Sequence, residues 1–583
     1  MPRIAVVEED KCHPDKCGNY LCIRLCPVNR TGTECIVQGA DKKAEIFADL
    51  CTGCGICPNR CPFGAISIIN LPDELAETPI HQYGHNGFHL YNLPTPVFGK
   101  VVGIIGKNGI GKSTAIKILA GVLAPNLGTG RIMPLAELLK FFKGSETQLF
   151  FERLSRGEIT VAYKPQQVDL IPKTAQGKVI DLLERVNETG KLQEIAELLD
   201  ITEILSHDIT HISGGELQRV AIAATVLRKA NLYIFDEPTS YLDIRQRIKV
   251  AQFIKSLAGP ETAVLVAEHD LIILDYMTDL VHIAYGKENV YGIISQLKST
   301  RAGINVYLSG YLKEENMRFR SHPIQFFTRP PSIAQKGEQL VEWDGLAKQL
   351  DSFALQAGPG TLQKGRIIGV LGENGIGKTT FVKLLAHVLQ PDRGSLSRQL
   401  TVAYKPQYLT VNDGLVVDLL AAALQKYDQL IIRPLDLVSL LERPLSELSG
   451  GQLQRVAIAY ALSQDCQLLL LDEPSAYLDV EQRLAVSKVI REVVEQRNLT
   501  CLIVDHDLLF IDYLAEQLLV FSGIPAKQGI AAGPFSMQEG MNVFLERLGI
   551  TLRRDKETLR PKINKPESRL DQEQQKSGKR YYT

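Results

Sequence analysis

Long apolar runs are missing from this 583-residue chain. None approaches the ~18 residues that cross a bilayer, which excludes a helical membrane domain. The opening MPRIAVVEEDK lacks the apolar core of a secretory signal, so the expected compartment is the cytosol. An excess of either charge is also missing: 65 Lys and Arg face 66 Asp and Glu, for a net charge of −1. No overall field is available to hold a nucleic acid, and such a partner would have to be gripped by local basic patches. Tryptophan occurs once, at Trp343, and cysteine is scarce over most of the length. Of the eleven, only Cys466 and Cys501 lie beyond Cys61. The other nine crowd into the stretch that ends at Cys61, and in a reducing cytosol that clustering points to metal rather than to disulfides.

What is present is ordinary for a soluble globular protein, 45% apolar and 22% charged residues, in a length that suggests roughly three or four domains. Laid on itself, the chain repeats. GIIGKNGIGKST (103–114) returns as GVLGENGIGKTT (369–380), an offset of 266, and VAYKPQ (161–166) returns at 402–407, an offset of 241. SGGELQRVAIA (213–223) returns as SGGQLQRVAIA (449–459) and FDEPTSYLD (235–243) as LDEPSAYLD (471–479). EHD (268–270) returns as DHD (505–507), and GINVYL (303–308) as GMNVFL (540–545). The fall in offset from 266 to 241 leaves about 25 extra residues near 130–160 of the first half. That stretch reads as two short amphipathic helices around a Gly144-Ser145 break.

In each half apolar strands (VVGIIG, NLYIFDEP, AVLVAEHD) alternate with helical stretches, which predicts an α/β fold with a mostly parallel sheet. The expected organisation is a cysteine-rich domain over 1–72, a first nucleotide-binding domain over 73–300, a linker over 301–335, a second nucleotide-binding domain over 336–524, and a hinge with a basic tail over 525–583.

Two loops, Gly106 to Ser113 and Gly372 to Thr379, fit G-x-x-x-x-G-K-[ST]. Gly106, Gly109, Gly111, Gly372, Gly375 and Gly377 let backbone N–H groups face phosphates, with Asn108, Thr114, Asn374 and Thr380 in the same loops. Lys112 and Lys378 reach the terminal phosphates, and Ser113 and Thr379 can ligate Mg²⁺. Asp236 and Asp472 end apolar strands, where a second Mg²⁺ anchor is needed. Glu237 and Glu473 follow, placed to polarise an attacking water. His269 and His506 are placed to contact a γ-phosphate, and Gln166 and Gln407 to sense Mg²⁺ and water. Tyr83, with Phe88, and Trp343 are aromatic residues upstream of the loops, placed to stack on adenine.

The first cysteine run is Cys12, Cys17, Cys22, Cys26 and the second Cys51, Cys54, Cys57, Cys61, each ending in Cys-Pro. The second run has bacterial ferredoxin spacing; the first has four residues between its early cysteines. By the rule for two-cluster ferredoxins, Cys51, Cys54, Cys57 and Cys26 hold one 4Fe-4S cluster, and Cys12, Cys17, Cys22 and Cys61 the other. Cys35 is left over as a buried thiol or supporting residue. Four thiolates also suit zinc, which stays open as the rival metal.

The signatures SGGELQR and SGGQLQR, with the phosphate loops, glutamines, DEP, YLD and histidine motifs, resemble the ATP-binding cassette (ABC) ATPases over about 75–300 and 340–525. The resemblance implies two domains facing head to tail, each nucleotide closed over by the other domain's signature: Lys112 with Ser449 and Gly451, Lys378 with Ser213 and Gly215. A membrane transporter ATPase lacks any use for clusters and would need spanning helices. A cohesin-type repair ATPase would need a long coiled coil. An ATP-coupled iron–sulfur redox protein is coherent chemistry but lacks an electron-acceptor motif.

The cysteine runs, LCTGCGICPNRCPFGAISIINLP, the insertion, LSGGQLQRVAIA and GINVYLSGYLKEENMRFR together resemble the class-E ABC proteins, the RNase L inhibitor family of archaea and eukaryotes, essentially from end to end. This resemblance implies ATP-driven splitting of ribosomes after termination or rescue. The implied partners are the small subunit with its rRNA and proteins, a release factor or its stalled-ribosome relative, and initiation factors. The chain is expected to act as a monomer off the membrane, with two 4Fe-4S clusters, ATP and Mg²⁺. Local charge suggests ribosome contacts at Arg131, Lys140, Lys143, Arg153 and Arg156 of the insertion, Arg318 and Arg320 of the linker, and Arg553, Arg554, Lys556 and Arg560 of the tail. GINVYL and GMNVFL are expected to form equivalent hinge elements packed on both cassettes. Lys107 against Glu373 and Ser113 against Thr379 suggest unequal sites.

Overall fold

Strands form where β-branched and leucine runs are buried on both faces, as a parallel sheet requires. VVGIIG (Val101–Gly106), LYIFD (Leu232–Asp236), AVLVA (Ala263–Ala267) and LLLLD (Leu468–Asp472) are buried at every residue. The computed structural model describes residues 3–7, 12–39, 42–47, 50–70, 78–84, 87–326, 338–350, 352–407 and 413–582. The expected boundary at 72/73 and the end of the linker, 327–335 with residue 336, lie outside the described residues.

The chain folds as two compact units that do not follow the sequence repeat. One comprises Met1–Thr95, Ile104–Ser155 and Leu280–Gln325, the other Pro96–Gly103, Arg156–Asp279 and Phe326–Thr583. The first half is cut because its antiparallel strands come from both sides of the phosphate loop. His81–Gln82 pairs with His89–Tyr91, which pairs with Tyr291–Ile294, which pairs with Leu280–Lys287.

In the first unit the cysteine segment is a small α+β domain. Arg3–Val7 runs antiparallel to Ile66–Asn70, and helices Leu21–Leu25, Pro27–Arg30 and Ile56–Arg60 carry the cysteine runs. The expected linker is not a simple tether. Thr300–Ser309 is a helix ending at Gly310, whose φ of 71° meets the left-handed conformation a helix stop favours. Strands Tyr311–Leu312 and Met317–Arg318 then extend the cysteine domain's sheet, Met317 lying beside Asn70 and Asn316 Nδ2 donating to the Ile68 carbonyl at 2.9 Å. The insertion forms helices Leu135–Phe141 and Glu146–Ser155 around Gly144 (φ 81°), held by Phe142 stacked on Phe151 at 5.6 Å.

In the second unit, Val161–Lys164, Leu232–Asp236 and Ala263–Ala267 are parallel neighbours. The second half is one eight-stranded sheet in the order Leu346–Leu350, Phe353–Ala357, Gln528–Ser536, Gln517–Ile524, Ile367–Leu371, Thr500–Val504, Leu468–Asp472, Val402–Lys405. The five strands from Gln517–Ile524 to Val402–Lys405 are parallel, and Gln517–Ile524 meets Gln528–Ser536 antiparallel.

The expected basic tail is folded. It adds helix Met537–Leu548, strands Leu552–Arg554 and Pro561–Ile563, and helix Arg569–Ser577. GMNVFL lies in the first of these helices and GINVYL in Thr300–Ser309. Each lays its glycine on its own half's strand, Gly540 against Leu518 and Gly303 against Val281. No described helix is long and apolar enough to cross a membrane.

Candidate active site and cysteine framework

Each phosphate loop leaves a buried strand and turns into a helix whose first residue is its lysine, Lys112–Leu119 and Lys378–Leu385. Gly111 and Gly377 take φ of 84° and 88°, and a side chain at either would strike an aromatic ring, Phe88 at 2.6 Å or Phe353 at 2.7 Å. The loops therefore need glycine for conformation and for close approach. Lys112 Nζ donates to the Gly106 and Lys107 carbonyls at 2.9 and 2.5 Å. Lys378 Nζ donates to Gly372 and Glu373 at 2.7 and 3.1 Å. Burial lowers the Lys378 pKa to about 8, against the pull of Glu473, Asp243 and Asp472. A desolvated ammonium held by the loop's own carbonyls is suited to a phosphate.

The second half assembles its candidate catalytic groups around this lysine. Thr379 Oγ1 lies 3.4 Å from Asp472 Oδ2, Gln407 Nε2 donates to Glu473 Oε1 at 2.8 Å, and His506 Nε2 lies 2.9 Å from Asn374 Oδ1 and 3.2 Å from Lys378 Nζ. Burial, then Lys378 and Arg247, hold the His506 pKa well below the ordinary value, so its imidazole is neutral. Burial and Asp472 raise Glu473, and burial raises Asp472 against Lys378 and Lys405. A carboxylate so raised is a better base for water. In the first half Gln166 Nε2 donates to Glu237 Oε1 at 2.7 Å, and His269 Nε2 lies 3.3 Å from the same oxygen. Glu237 and Glu473 both take positive φ, 48° and 46°, a strained conformation typical of functional positions.

Several supporting residues escaped the motif reading. Lys164 and Lys405 are fully enclosed and donate to the Asp236 and Asp472 carbonyls at 3.0 and 2.7 Å; burial lowers both to about 8. Gln218 and Gln454 of the signature helices donate to the Glu237 and Glu473 carbonyls, both at 2.7 Å. Thus the signature helix and the strand-end acids of one half are tied together through backbone. The recurrence of both residues in the repeat was the available signal.

Ser213 and Ser449 cap helices Gly214–Val226 and Gly450–Ser463 with capping boxes to Glu216 and Gln452. Gly215 and Gly451 pack so closely on the Tyr241 and Tyr477 carbonyls that an added Cβ would lie 3.0 and 2.9 Å away. The turn after Tyr241 meets the second loop directly: Asn374 N–H donates to Asp243 Oδ2 at 3.1 Å, and Arg245 pairs with Glu373 at 3.0 Å. The structure thus sets the second phosphate loop against the segment on which the first half's signature glycine rests.

Tyr83 keeps its hydroxyl 3.4 Å from Thr114 Oγ1, and Phe88 lies against Gly111, so both stand at the first loop. Trp343 does not offer a face to a nucleotide. It is 2% exposed, donates Nε1–H to the Gly358 carbonyl at 2.6 Å and meets Phe381 edge-on at 5.5 Å. The counterpart of Phe88 is Phe353, half-buried against Gly377. Its signal was the repeated F-x-L, Phe88 to Leu90 and Phe353 to Leu355, whose leucines also contact Gly111 and Gly377.

Three basic residues expected to reach phosphates are otherwise engaged. Arg560 is 0% exposed, bound to Asp275 at 2.9 Å and to the Leu271 carbonyl. Arg554 stacks 4.1 Å over Tyr582. Arg320 stacks over Tyr307 at 4.7 Å and donates to the Tyr307 and Leu308 carbonyls. In the insertion Arg131, Lys140, Lys143 and Arg156 are exposed and Arg153 is half-buried.

All eleven cysteines are free thiols. Burial pushes Cys22 up to about 11, with Cys17 and Cys12 adding to it, and pushes Cys57 up to about 12, with Cys51 and Cys54 adding. The early thiols of each run are thus near enough to disfavour one another's charge. Cys35, 1% exposed, sits beside both Cys26 and Cys51, which brings Cys26 to the second run. Phe63 meets His13 edge-on at 5.3 Å, which brings the Cys61-Pro62 end towards Cys12. Ala5 and Gly53 N–H groups point at Cys51 Sγ at 3.3 and 3.4 Å, and Ala65 N–H at Cys61 Sγ at 3.4 Å. Among the described residues no three such side chains converge closely enough for a single metal ion. The N–H donors on the Cys51 and Cys61 sulfurs suit thiolates that ligate iron–sulfur, and a bound cation would reverse the upward push on each thiol.

Comparison with known proteins identifies the domains. The ABC transporter family profile matches 97–240 and 356–476, a "possible Fer4-like domain in RNase L inhibitor" matches 2–34, and a 4Fe-4S binding domain matches 44–67. An ABC transporter ATP-binding protein of Methanocaldococcus jannaschii is 49% identical over 100% of this chain and 97% of its own. The archaeal ribosome recycling factor solved in complex with the ribosomal stalk protein aP1 is 51% identical, with a TM-score of 0.83 over 88% of this chain and 100% of that one. The same factor family in a ribosome-bound assembly with archaeal Pelota is also 51% identical, with a TM-score of 0.83 over 100% and 99%. With two ABC ATPase domains behind an iron–sulfur-binding domain, the chain belongs to the class-E ATP-binding cassette, or RNase L inhibitor, family.

Proposed function

We propose that this protein is an ATP-driven ribosome recycling factor of the cytoplasm. It splits ribosomes into subunits after termination or rescue, beside a release factor or its stalled-ribosome relative, and stays for a time on the small subunit. The observation that carries the reading is the full-length similarity to the archaeal factor bound to a ribosome with Pelota. The similar factor in complex with aP1 supports the ribosomal stalk as a further partner.

In this reading Ser113, Gln166 and Asp236, and likewise Thr379, Gln407 and Asp472, would hold one Mg²⁺ per site. Lys112 and Lys378 bind the terminal phosphates, and Glu237 and Glu473 take a proton from the attacking water while His269 and His506 hold the γ-phosphate. Tyr83, Phe88 and Phe353 pack by the base. Each signature serine closes over the opposite nucleotide, so ATP binding closes the cassettes and hydrolysis releases them. Cys12, Cys17, Cys22 and Cys61 would hold one cluster and Cys26, Cys51, Cys54 and Cys57 the other. When bound, the two clusters cross-link a domain of about 70 residues whose own core is small.

Exposed Arg131, Lys140, Lys143 and Arg156 supply phosphate contacts that position the protein and weaken with salt. The test is to incubate purified ribosomes with this protein, Mg-ATP and a release factor, then sediment them. Separation into subunits that requires ATP supports the proposal; intact ribosomes in every lane overturn it.

A further inference from the structure

Glu373 stands within the second phosphate loop but is not one of its phosphate-binding groups. Its carboxylate is held at 3.0 Å by Arg245, in the first turn of helix Ile244–Ser256 of the other half. The neighbouring bond, Asn374 N–H to Asp243 Oδ2 at 3.1 Å, fixes the place of that turn, because Asp243 is the helix's N-cap. The repeat carries Asp243 onto Asp479 and Asn374 onto Asn108, so these two residue types are the same in both halves. It carries Arg245 onto Glu481 and Glu373 onto Lys107. At both charged positions the sign is reversed.

We infer that this sign reversal is a pairing code: it lets a first half close on a second half and makes two like halves, from two copies of the chain, repel. Two first halves meeting with the observed geometry would set Arg245 against Lys107. Two second halves would set Glu481 against Glu373. A like pair is two-fold symmetric, so either clash occurs twice, whereas Arg245 on Glu373 attracts. The ion pair is too exposed to contribute much affinity, Arg245 being 66% accessible. Its effect is on choice of partner, where an added repulsion is effective even when the attraction is small. A tandem ATPase whose halves share SGG, DEP and YLD motifs could otherwise chain into oligomers through its nucleotide seams.

The inference rests on the cassettes closing over ATP, and the experiment keeps the two apart. Full-length protein is weighed by sedimentation equilibrium with Mg²⁺ and a non-hydrolysable ATP analogue, at low and high salt, with analogue binding measured in the same samples. The native chain is expected to bind the analogue and stay monomeric. Glu373→Lys gives the second half the sign of the first, so two second halves then attract through Glu481. Self-association should tighten at least tenfold, more at low salt. Adding Glu481→Lys should abolish it, and adding Arg245→Glu instead should restore closure within one chain and the monomer. Lys107→Glu is the mirror test for two first halves. If Glu373→Lys and Lys107→Glu both stay monomeric with analogue bound, or if Glu481→Lys leaves the new dimer intact, the pairing code is wrong. Failure of the native chain to bind analogue would count against the cassette reading itself.

Discussion

At the scale of single residues, the pH response of the second site rests on Lys378. Its pKa of about 8 is depressed by burial, so above pH 8 the neutral amine dominates, while a bound phosphate favours the ammonium. Binding should therefore take up a proton near pH 8, and affinity at this site should fall about tenfold per pH unit above it. Titration calorimetry in buffers of different ionisation heat, with the first site silenced by Lys112→Ala, measures both; an affinity flat from pH 7 to 9 would contradict the assignment. The two loops also differ in sequence, Lys107 against Glu373 and Ser113 against Thr379. Glu237→Gln and Glu473→Gln should therefore remove unequal shares of steady-state ATP hydrolysis; equal losses would argue for equivalent sites. The aromatic residues separate in the same way. Phe353→Ala should weaken nucleotide binding about fivefold with little change in unfolding midpoint, since an aromatic stack contributes about 1 kcal/mol. Trp343→Ala should cost about 3–5 kcal/mol of stability through the cavity it leaves. The opposite pattern would return Trp343 to the site.

At the scale of elements, the C-terminal segment binds equivalent points on the two halves. Asp275 in helix Leu271–Met277 and Asp512 in helix Leu508–Leu514 stand at matching places in the repeat, separated by the same offset as EHD and DHD. Arg560 and Lys562 hold Asp275 at 2.9 and 2.8 Å, while Tyr581, Tyr582 and Arg554 hold Asp512. Arg560 and Asp275 are enclosed, so Asp275→Ala strands a buried guanidinium and should cost about 3–5 kcal/mol, read as a lowered midpoint in denaturant. A loss under about 1 kcal/mol, the value of an exposed pair, would show the contact to be loose. None of this could be read in advance, because Asp275 and its partners lie in different halves of the chain, Asp512 and its partners lie 42 to 70 residues apart, and nothing local marks Arg560 as anything but one of several basic residues. The same limit explains Trp343. Closeness to the loop in sequence suggested a role, but its strand, Gln339–Trp343, turns it to the same face as buried Val341. By contrast the phosphate loops and strand-end acids were legible. Each is a short segment whose residue types are dictated by its own backbone geometry, and the repeat supplied a second example of every one. The left-over Cys35 was legible as buried but not as the neighbour of both Cys26 and Cys51.

At the scale of the molecule, the division into compact units gives the two phosphate loops different company. Gly106 to Ser113 shares its unit with the cysteine domain, the insertion and the strands that extend the cysteine sheet. Gly372 to Thr379 shares its unit with both signature helices. If the proposed function holds, the cysteine domain acts as a stiff body carried by cassette closure, and Asn316, bonded to the Ile68 carbonyl, belongs to that connection. The thiols then matter as a framework, not as an electron path. Splitting should proceed within about twofold of the normal rate when the metal sites are locked oxidised or locked reduced, and should fail when the metal is chelated from them, with ATP binding at the second loop retained. Asn316→Ala, which removes the bond to the Ile68 carbonyl and the one accepted from the Tyr311 hydroxyl, each of about 1 kcal/mol, should slow splitting several-fold at unchanged nucleotide affinity. Rates that follow the redox state instead would make the cysteine domain a carrier of electrons, and the mechanical account would have to be abandoned.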